Sequence, residues 1–230
     1  MRVRSDGAET RRRILDAAGS VFARRGFRDA TMAEIAREAQ VNPALINYHF
    51  TDKETLYRQA WQRAWERTRR RYRLGDTPPG KTAARRLVWL IGAMVRAAAD
   101  QRAADQEIWR KELAQPTELL AVIRQTVVVP LRRAVGSQVR EILGPEADDQ
   151  AVRLATMSII SQCRTPICGD AGQRPFVDVD LARRIEHIRR FSLGGLRAMR
   201  RKSASATGER LATTYFPSRV TRKYLRHIRA

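Results

Sequence analysis

The sequence predicts an all-α fold, in which a three-helix unit precedes a larger helical bundle. Apolar residues recur at spacings of three and four along most of the chain, which is the period of an amphipathic helix. Alternating apolar and polar runs, the pattern of half-buried strands, are almost absent. Hydrophobic residues make up 43% of the 230 residues, so the chain has enough apolar side chains for a core in each unit.

The first predicted helix has one apolar stripe and a clear end. Gly26 follows the last apolar position, and glycine is favoured just after a helix C-terminus. Residues 1–9 precede the helix as a basic N-terminal arm, which the arginines at 11–13 continue. Such an arm either follows a polyanion backbone or is a frayed terminus. The stripe consists of Ile14, Ala17, Ala18, Val21 and Phe22.

Two short helices joined by a tight turn are predicted next. Thr31 and Glu34 match a capping box, which marks a helix N-terminus. Gln40 lies where the chain must turn, and Asn42 before Pro43 is a favourable start for the second helix. This is the pattern of a helix-turn-helix, whose second helix usually lies in a DNA major groove.

A longer helix follows and ends at a break. Thr51 and Glu54 match a second capping box, so we expect Thr51 to cap this helix. The segment 75–80, Gly-Asp-Thr-Pro-Pro-Gly, predicts a boundary between a domain over 10–75 and a second one over 80–200. The apolar face of the connecting helix holds Leu56, Tyr57, Ala60, Trp61, Ala64 and Trp65.

Residues from about 10 to 61 resemble the DNA-binding domain of TetR-type repressors. The resemblance extends beyond the helix-turn-helix to both flanking helices. At Gln40 the family often has glycine, and a left-handed conformation there costs a non-glycine residue about 1 kcal/mol. The residues that carry the resemblance are Ile14, Ala17, Phe22, Gly26, Thr31, Ile35, Ala36, Val41, Tyr48, His49, Phe50, Lys53 and Leu56.

The second short helix is expected to read base edges. Asn47 can pair bidentately with adenine in the major groove, and Leu45 can touch a thymine methyl group. The small side chain of Ala44 lets the helix approach closely. Ile46 and Phe50 are assigned to the core instead.

Phosphate contacts are expected around this helix. Thr31 lies near a helix N-terminus, which favours anions, and Lys53 supplies a positive charge. The resemblance implies phosphate contacts from Tyr48 and His49, although His49 is also compatible with a packed surface histidine. The complete set of predicted DNA contacts is Thr31, Asn42, Pro43, Ala44, Leu45, Asn47, Tyr48, His49 and Lys53.

The chain after the break is again helical in pattern. Its long middle helix is capped by Thr117 and contains Pro130, which leaves the Thr126 carbonyl without a helical donor and predicts a kink. The kink either opens a ligand cavity or merely fits the bundle. Two further helices are predicted over 147–163 and 178–200.

Short patches of this second unit resemble the C-terminal domain of the CecR-like subgroup of TetR regulators. They are residues 109–112, 116–117 and 157–163, and the segment 46–57 is similar too. The resemblance implies a homodimer through the last two long helices and a small-molecule effector cavity in the bundle. It also implies a link to transport and drug-sensitivity genes.

The candidate effector pocket combines aromatic walls with a few polar groups, which suits a ligand of mixed character. Trp89, Met94 and Met157 are explained equally well as plain core residues. The predicted pocket residues are Trp89, Met94, Trp109, Glu112, Met157, Gln162, Cys163 and Arg164.

The last two helices have features of a dimer interface. Gly194 and Gly195 would let two backbones approach, and glycine inside a helix otherwise costs nearly 1 kcal/mol. The alternative is a monomer whose last helix closes the bundle. The helix over 147–163 has more apolar residues than one buried face requires, so some of them could face a partner. They are Val152, Ala155, Met157, Ile159 and Ile160.

The formal net charge of +21 favours a polyanionic partner, and double-stranded DNA is the simplest one. A nonspecific basic DNA-coating protein is therefore an alternative, and arginine-rich composition accounts equally well for the charge of the middle segment. Residues 201–230 form a basic tail that we expect to be disordered or poorly packed.

Other classes of function have little support. Cys163 and Cys168 lack a second ligand pair, so neither a metal site nor a cofactor is expected, and a redox switch is a minor option. The start of the chain has no signal-peptide pattern and the apolar runs are short, which favours a cytoplasmic protein away from membranes. Nucleophile-elbow, phosphate-loop and His-Glu-x-x-His motifs are missing, which makes an all-α enzyme the least favoured alternative.

Overall fold

The computed structural model describes residues 3–76, 78, 80–100, 102–164 and 180–205, with side chains over the range 7–200. Every regular element in these ranges is helical, which confirms the predicted fold class. None of the described helices is long and apolar enough to cross a membrane. The helices are α1 Val3–Asp29, α2 Met32–Ala39, α3 Pro43–His49, α4 Lys53–Tyr72, α5 Ala83–Ala98, α6 Ala104–Ala114, α7 Leu119–Ile123, α8 Val129–Leu143, α9 Asp149–Arg164 and α10 Leu181–Ser205.

Helix α1 differs from the prediction at its start and agrees with it near its end. It begins at Val3, so the stretch 3–9, expected as a loose arm, is helical. Gly26 interrupts the helix with φ 82° and ψ 178°, a backbone conformation that is essentially restricted to glycine. The break turns the chain at the position that the sequence indicated.

The first core joins more of the chain than the sequence predicted. Helices α1 to α4 bury large side chains together, among them Phe22, Ile46 and Trp61. Ile108 of α6 and Ile123 of α7 pack into the same cluster, although the sequence placed them in the second domain. The reason is that α6 packs against both α1 and α4. The helix-turn-helix therefore shares its core with part of the presumed effector domain.

The N-terminus of α4 requires a correction. The sequence assigned the cap to Thr51, but the carboxylate of Asp52 accepts the hydrogen bond from the Thr55 backbone N–H. Both residue types cap helices well, and Asp52 is the one with extended backbone geometry directly before the first helical residue.

The long middle helix contains a π-turn near its proline. Helix α7 leads into a π-turn over Arg124–Val128, and α8 follows with Pro130 in its first turn. The Val129 backbone N–H reaches the Arg124 carbonyl, one residue further than in an α-helix. The predicted irregularity at Pro130 is thus a widened turn that precedes the proline.

Helices α5, α8, α9 and α10 form a second core. Leu90, Val139, Ile159 and Leu196 are among its buried members. Asp180 caps α10 by accepting hydrogen bonds from the backbone N–H groups of the second and third residues after it. The predicted start at position 178 and most of the predicted tail, residues 206–230, lie outside the described residues.

Candidate nucleic-acid interface and effector cavity

Helix α3 presents a narrow exposed stripe away from the core. Pro43, Ala44, Asn47 and Tyr48 are exposed, at spacings that place them on one face, and Tyr48 is 82% exposed. Ile46 on the opposite face is fully buried. The exposed stripe has one amide and one phenol, and its other side chains are small. This composition would let the helix approach a nucleic-acid groove closely.

Local caps position α3. Gln40 adopts the left-handed conformation that the sequence indicated, with φ 55° and ψ 47°. Its backbone N–H closes the end of α2 on the carbonyls of Ala36 and Arg37. Asn42 then starts α3, because its side-chain oxygen accepts the Ala44 backbone N–H at 2.9 Å.

The flanking side chains that we expected at phosphates are only partly free. Thr31 is exposed, and its hydroxyl oxygen accepts the Glu34 backbone N–H at 3.1 Å as an N-cap. The Lys53 Nζ donates to the Arg28 carbonyl at 3.2 Å and lies 4.9 Å from the centre of the Phe27 ring. Partial burial lowers the pKa of Lys53. His49 is half-buried, with its ring against Tyr48.

Arg13 is a positioning residue that the sequence assigned to the basic arm. Its guanidinium donates to the Ala39 carbonyl at 2.7 Å and to the Gln40 carbonyl at 2.9 Å. These bonds tie α1 to the turn before α3. Arg11 lies over the Phe50 ring at 5.2 Å and is likewise used inside the protein. Only the three-dimensional proximity of α1 to the turn reveals these roles.

A cavity of about 120 Å³ lies between the two cores. Residues from α4, α5, α6, the π-turn, α8 and α9 line it, and we call it the effector cavity after the role that the sequence predicts. Two of the predicted pocket residues, Met94 and Arg164, are part of this lining. Thr126 and Pro130 of the irregular helix line it too.

The other predicted pocket residues lie elsewhere among the described part of the chain. Trp89 is half-buried with the Arg73 guanidinium 5.3 Å from its ring centre. Met157 is 56% exposed on α9. Cys163 is fully buried in the second core, and this burial raises its pKa to about 12. Cys168, the other thiol of the redox switch that the sequence left as a minor option, is outside the described residues.

Glu112 has a different place from the one we expected. It is buried between α6 and α4, where its carboxylate accepts the Tyr57 hydroxyl at 2.9 Å. The Thr117 backbone N–H at 3.0 Å and the Thr117 hydroxyl at 2.8 Å donate to the same carboxylate. Burial beside Glu112 raises the pKa of Tyr57. Glu112 therefore joins α6 to α4, and it lines a separate cavity beside Gly26 and Lys111 instead of the effector cavity.

Trp109 and Gln162 are not among the residues that line the effector cavity. The Arg164 guanidinium lies 3.5 Å from the centre of the Trp109 ring, so Trp109 supports a lining residue. The Gln162 amide donates to the Ser158 carbonyl on its own helix at 3.2 Å. Burial lowers the pKa of Arg164 to about 10, and the nearby Asp105 carboxylate opposes this shift.

A second exposed surface lies on α9 and α10. Leu154 and Met157 on α9 are more than half exposed, and so is Phe191 on α10. Gly194 and Gly195 follow at helical spacing, and a Cβ added at either glycine would meet nothing within 4 Å. Of the surplus apolar residues expected here, Val152 and Ile159 point into the core instead. Leu154 and Phe191 were missed because periodicity does not separate two apolar faces of one helix.

Two family models match the chain. Residues 14–60 match the model described as bacterial regulatory proteins, tetR family. Residues 83–196 match the C-terminal domain of the HTH-type transcriptional dual regulator CecR.

Curated relatives share parts of the sequence. The regulator UidR of Escherichia coli K12 is 29% identical over 114 residues, which are 50% of this chain and 57% of UidR. The repressor BepR of Brucella suis is 41% identical over 63 residues, 27% of this chain and 30% of BepR. The chain thus spans less than two thirds of the length of these relatives.

Solved structures share the fold over most of the chain. A TetR-like regulator from Rhodococcus sp. RHA1 has a TM-score of 0.63 at 17% identity, covering 82% of this chain and 96% of that one. A transcriptional regulator from Saccharomonospora viridis in complex with choline has a TM-score of 0.59 at 19% identity, covering 80% and 95%. Identities this low establish the fold alone.

Proposed function

Because the chain belongs to the TetR family of bacterial transcriptional regulators, with a CecR-like C-terminal domain, we propose that it is a ligand-responsive repressor. It binds a palindromic operator as a homodimer, and a small-molecule effector releases it. The observation that carries this proposal is the exposed stripe of α3, which two local caps hold away from the core. Its target genes belong to transport or drug sensitivity, as the CecR-like resemblance implies.

Asn47 reads a base edge in this proposal, because its amide is exposed in the middle of the stripe. Ala44 and Leu45 approach the groove, and Tyr48 reaches a phosphate. Lys53 contributes charge once its ammonium turns from the Arg28 carbonyl to the DNA backbone.

The dimer forms through α9 and α10. Leu154, Met157 and Phe191 would lose their exposure there, and the two glycines let the helices of the two copies approach. A two-fold axis at this surface gives two recognition helices, whose required spacing is about 34–36 Å, one helical turn of DNA.

The effector acts by changing the separation of the two α3 helices. The effector cavity lies against α4 and α6, and α6 is joined to α4 by Glu112 and Tyr57. Helix α6 also packs against α1, which contacts α3, so a ligand that moves α6 also moves a helix against which α3 packs. The S. viridis regulator holds choline, but Arg164 in the wall of this cavity makes a cation a poor fit here.

Competition binding tests the repressor against a nonspecific DNA-coating protein, the rival that the charge of +21 suggests. We expect the operator to bind at least about 10³-fold more tightly than unrelated duplex at physiological salt. Operator fragments selected from genomic DNA supply the specific probe. Equal affinity for all sequences would overturn the repressor proposal.

Sedimentation tests the dimer. Phe191→Glu places a charge in the proposed interface and should convert the protein to a monomer at micromolar concentration. The matched control is Leu113→Glu, because Leu113 is equally exposed at 64% but lies on α6. A wild-type monomer, or a dimer that Phe191→Glu leaves intact, would refute this interface.

A further inference from the structure

The wall of the effector cavity is mostly apolar but carries positive charge. Trp65, Met94 and Leu131 supply apolar surface, and the lining includes two arginines, Arg164 and Arg69. No acidic side chain is among the described residues that line the cavity. An apolar enclosure with cationic groups and no lining carboxylate selects for the sign of a ligand's charge.

Arg164 has N–H donors that no described residue uses. Its guanidinium lies 3.5 Å from the Trp109 ring centre, a cation–π contact that uses the flat face of the group. Such stacking leaves the N–H groups at its edge available for a planar acceptor. Within the described ranges, Arg164 makes neither an ion pair nor a hydrogen bond.

The nearest acidic group is already engaged. Asp105 accepts the Thr68 hydroxyl at 2.6 Å and the Gln106 amide at 2.8 Å, and it is not among the lining residues. Its carboxylate lies beyond ion-pair distance of Arg164, since no salt bridge joins the two groups in the described structure. Asp105 therefore leaves the charge of Arg164 only partly compensated, and Arg164 remains protonated near neutral pH with its pKa of about 10.

One polar group other than arginine is also favourable to an anion. Thr126 lies at the wall, and its hydroxyl can donate a hydrogen bond. Gln106 lines the cavity too, but its amide nitrogen donates to Asp105, so we do not count it as a donor for the ligand. Arg69 is exposed at the end of α4, where it marks the mouth of the cavity and attracts negative charge from solution.

We infer that the effector cavity takes a small organic anion, a carboxylate whose apolar body is no larger than one benzene ring. The inference rests on the proposed function, since it names the chemical class of the effector. The size follows from the volume of about 120 Å³, because an engineered apolar cavity of about 150 Å³ holds benzene. The carboxylate pairs with the edge of Arg164, and the apolar body packs against Met94 and Leu131.

Calorimetry with the full chain in the absence of DNA tests this inference directly. The probes are benzoate, its neutral analogue benzamide, and the benzylammonium cation, which share one ring and differ in charge. We expect benzoate to bind, benzamide to bind at least about tenfold more weakly, and the cation to give no signal, because a hydrogen bond to a charged partner is the stronger kind. Hexanoate replaces benzoate as an aliphatic anion of similar size.

Arg164→Gln removes the charge and should weaken benzoate binding at least about tenfold while leaving the weak binding of benzamide unchanged. Arg70→Gln is the matched control, because Arg70 is on α4 beside Arg69 but its side chain is 75% exposed and pairs with Glu66. Arg69→Gln is the second variant should Arg164→Gln not fold, as judged by its helical circular dichroism. It should weaken benzoate binding by a smaller factor.

Each outcome decides the inference. It is overturned if neither benzoate nor hexanoate binds, if benzamide matches benzoate, or if both arginine variants bind benzoate normally. Operator release is measured separately. If only a neutral or cationic compound releases the operator, the proposal of an anionic effector is refuted and the repressor proposal stands. If benzoate binds but the protein has no specific operator, the repressor proposal is refuted and the anion site stands.

Discussion

Seven consecutive residues form α3 and supply its outer surface, whereas the wall of the effector cavity draws on six helical elements from α4 to α9. The surface of α3 depends on the caps Thr31 and Asn42 and on the turn residue Gln40. The cavity depends on how the two cores meet. Helix α6 packs in the first core, and most of the other residues in the cavity wall belong to the second. Changes at α3 should therefore stay local, while changes near the cavity should spread through the protein.

The largest effect is expected where the two regions are joined. Glu112→Ala removes the acceptor of one buried and two part-buried hydrogen bonds and should lower the free energy of unfolding by about 2–3 kcal/mol, since an unsatisfied buried donor costs about 1–3 kcal/mol. Urea unfolding measures the change. Tyr57→Phe removes one of the three donors and should cost about 1 kcal/mol. If Glu112→Ala lowers the free energy of unfolding no more than Tyr57→Phe does, the hydrogen bonds of Glu112 do not hold α6 to α4.

A change on α3 should alter DNA selectivity and nothing else. Asn47→Ala should lose about 1–3 kcal/mol of discrimination at one operator position, because one bidentate base contact disappears. Binding to a panel of single-base operator variants measures this loss. The unfolding free energy and the benzoate affinity should stay at wild-type values, because Asn47 is exposed and is not one of the residues that line the cavity. An unchanged rank order of operator variants would contradict the role of Asn47.

A smaller, pH-dependent effect is expected at Asp105. Burial raises the pKa of this carboxyl group, so the folded protein holds its proton to a higher pH than the unfolded chain does. Its contribution to stability therefore falls as the pH rises from about 4, the unfolded value, through the raised pKa.

Asp105→Asn cannot ionise and should lack this fall, so its stability relative to wild type should improve from pH 4 to pH 8 in urea unfolding. The same substitution removes the nearest negative charge from Arg164 and should tighten benzoate binding a few-fold. A constant difference in stability across this pH range would contradict the assignment.

The smallest effect is expected at the turn before α3. Gln40→Gly relieves a left-handed backbone and should stabilise the protein by less than about 1 kcal/mol, because glycine also gains freedom in the unfolded chain. Arg73→Gly is the matched control, since Arg73 is the other described non-glycine residue with positive φ and lies far from α3. Operator affinity should not change in either variant. A destabilised Gln40→Gly would mean that the glutamine side chain holds the turn.

The α3 surface could be predicted from the sequence because its determinants are close along the chain. A capping side chain acts on a backbone group two or three residues away, so Thr31 and Asn42 were recognisable from spacing alone. Spacing cannot decide between two neighbouring residues that both cap helices well. We therefore predicted Thr51 as the N-cap of α4, whereas Asp52 caps it in the structure.

The effector cavity could be predicted only in part because its residues meet through packing. Met94 and Arg164 were identified, but spacing gave no sign that Glu112 would face Tyr57, which is 55 positions away. The packing of α6 into the first core was missed in the same way, since its apolar stripe is equally compatible with either core. Helical periodicity shows that a face is buried and not what buries it.

The buried thiol of Cys163 makes the second core measurable by chemistry. A thiolate is the reactive form, and both full burial and a pKa of about 12 suppress it while the protein is folded. In a Cys168→Ser background, a thiol-specific reagent should therefore react only when α9 separates from α5 and α10. The labelling rate then reports the opening free energy of this helix bundle under native conditions, in the same way as amide hydrogen exchange. Comparing the labelling rate with and without benzoate would show whether a bound ligand slows the local opening of the helices that line the cavity.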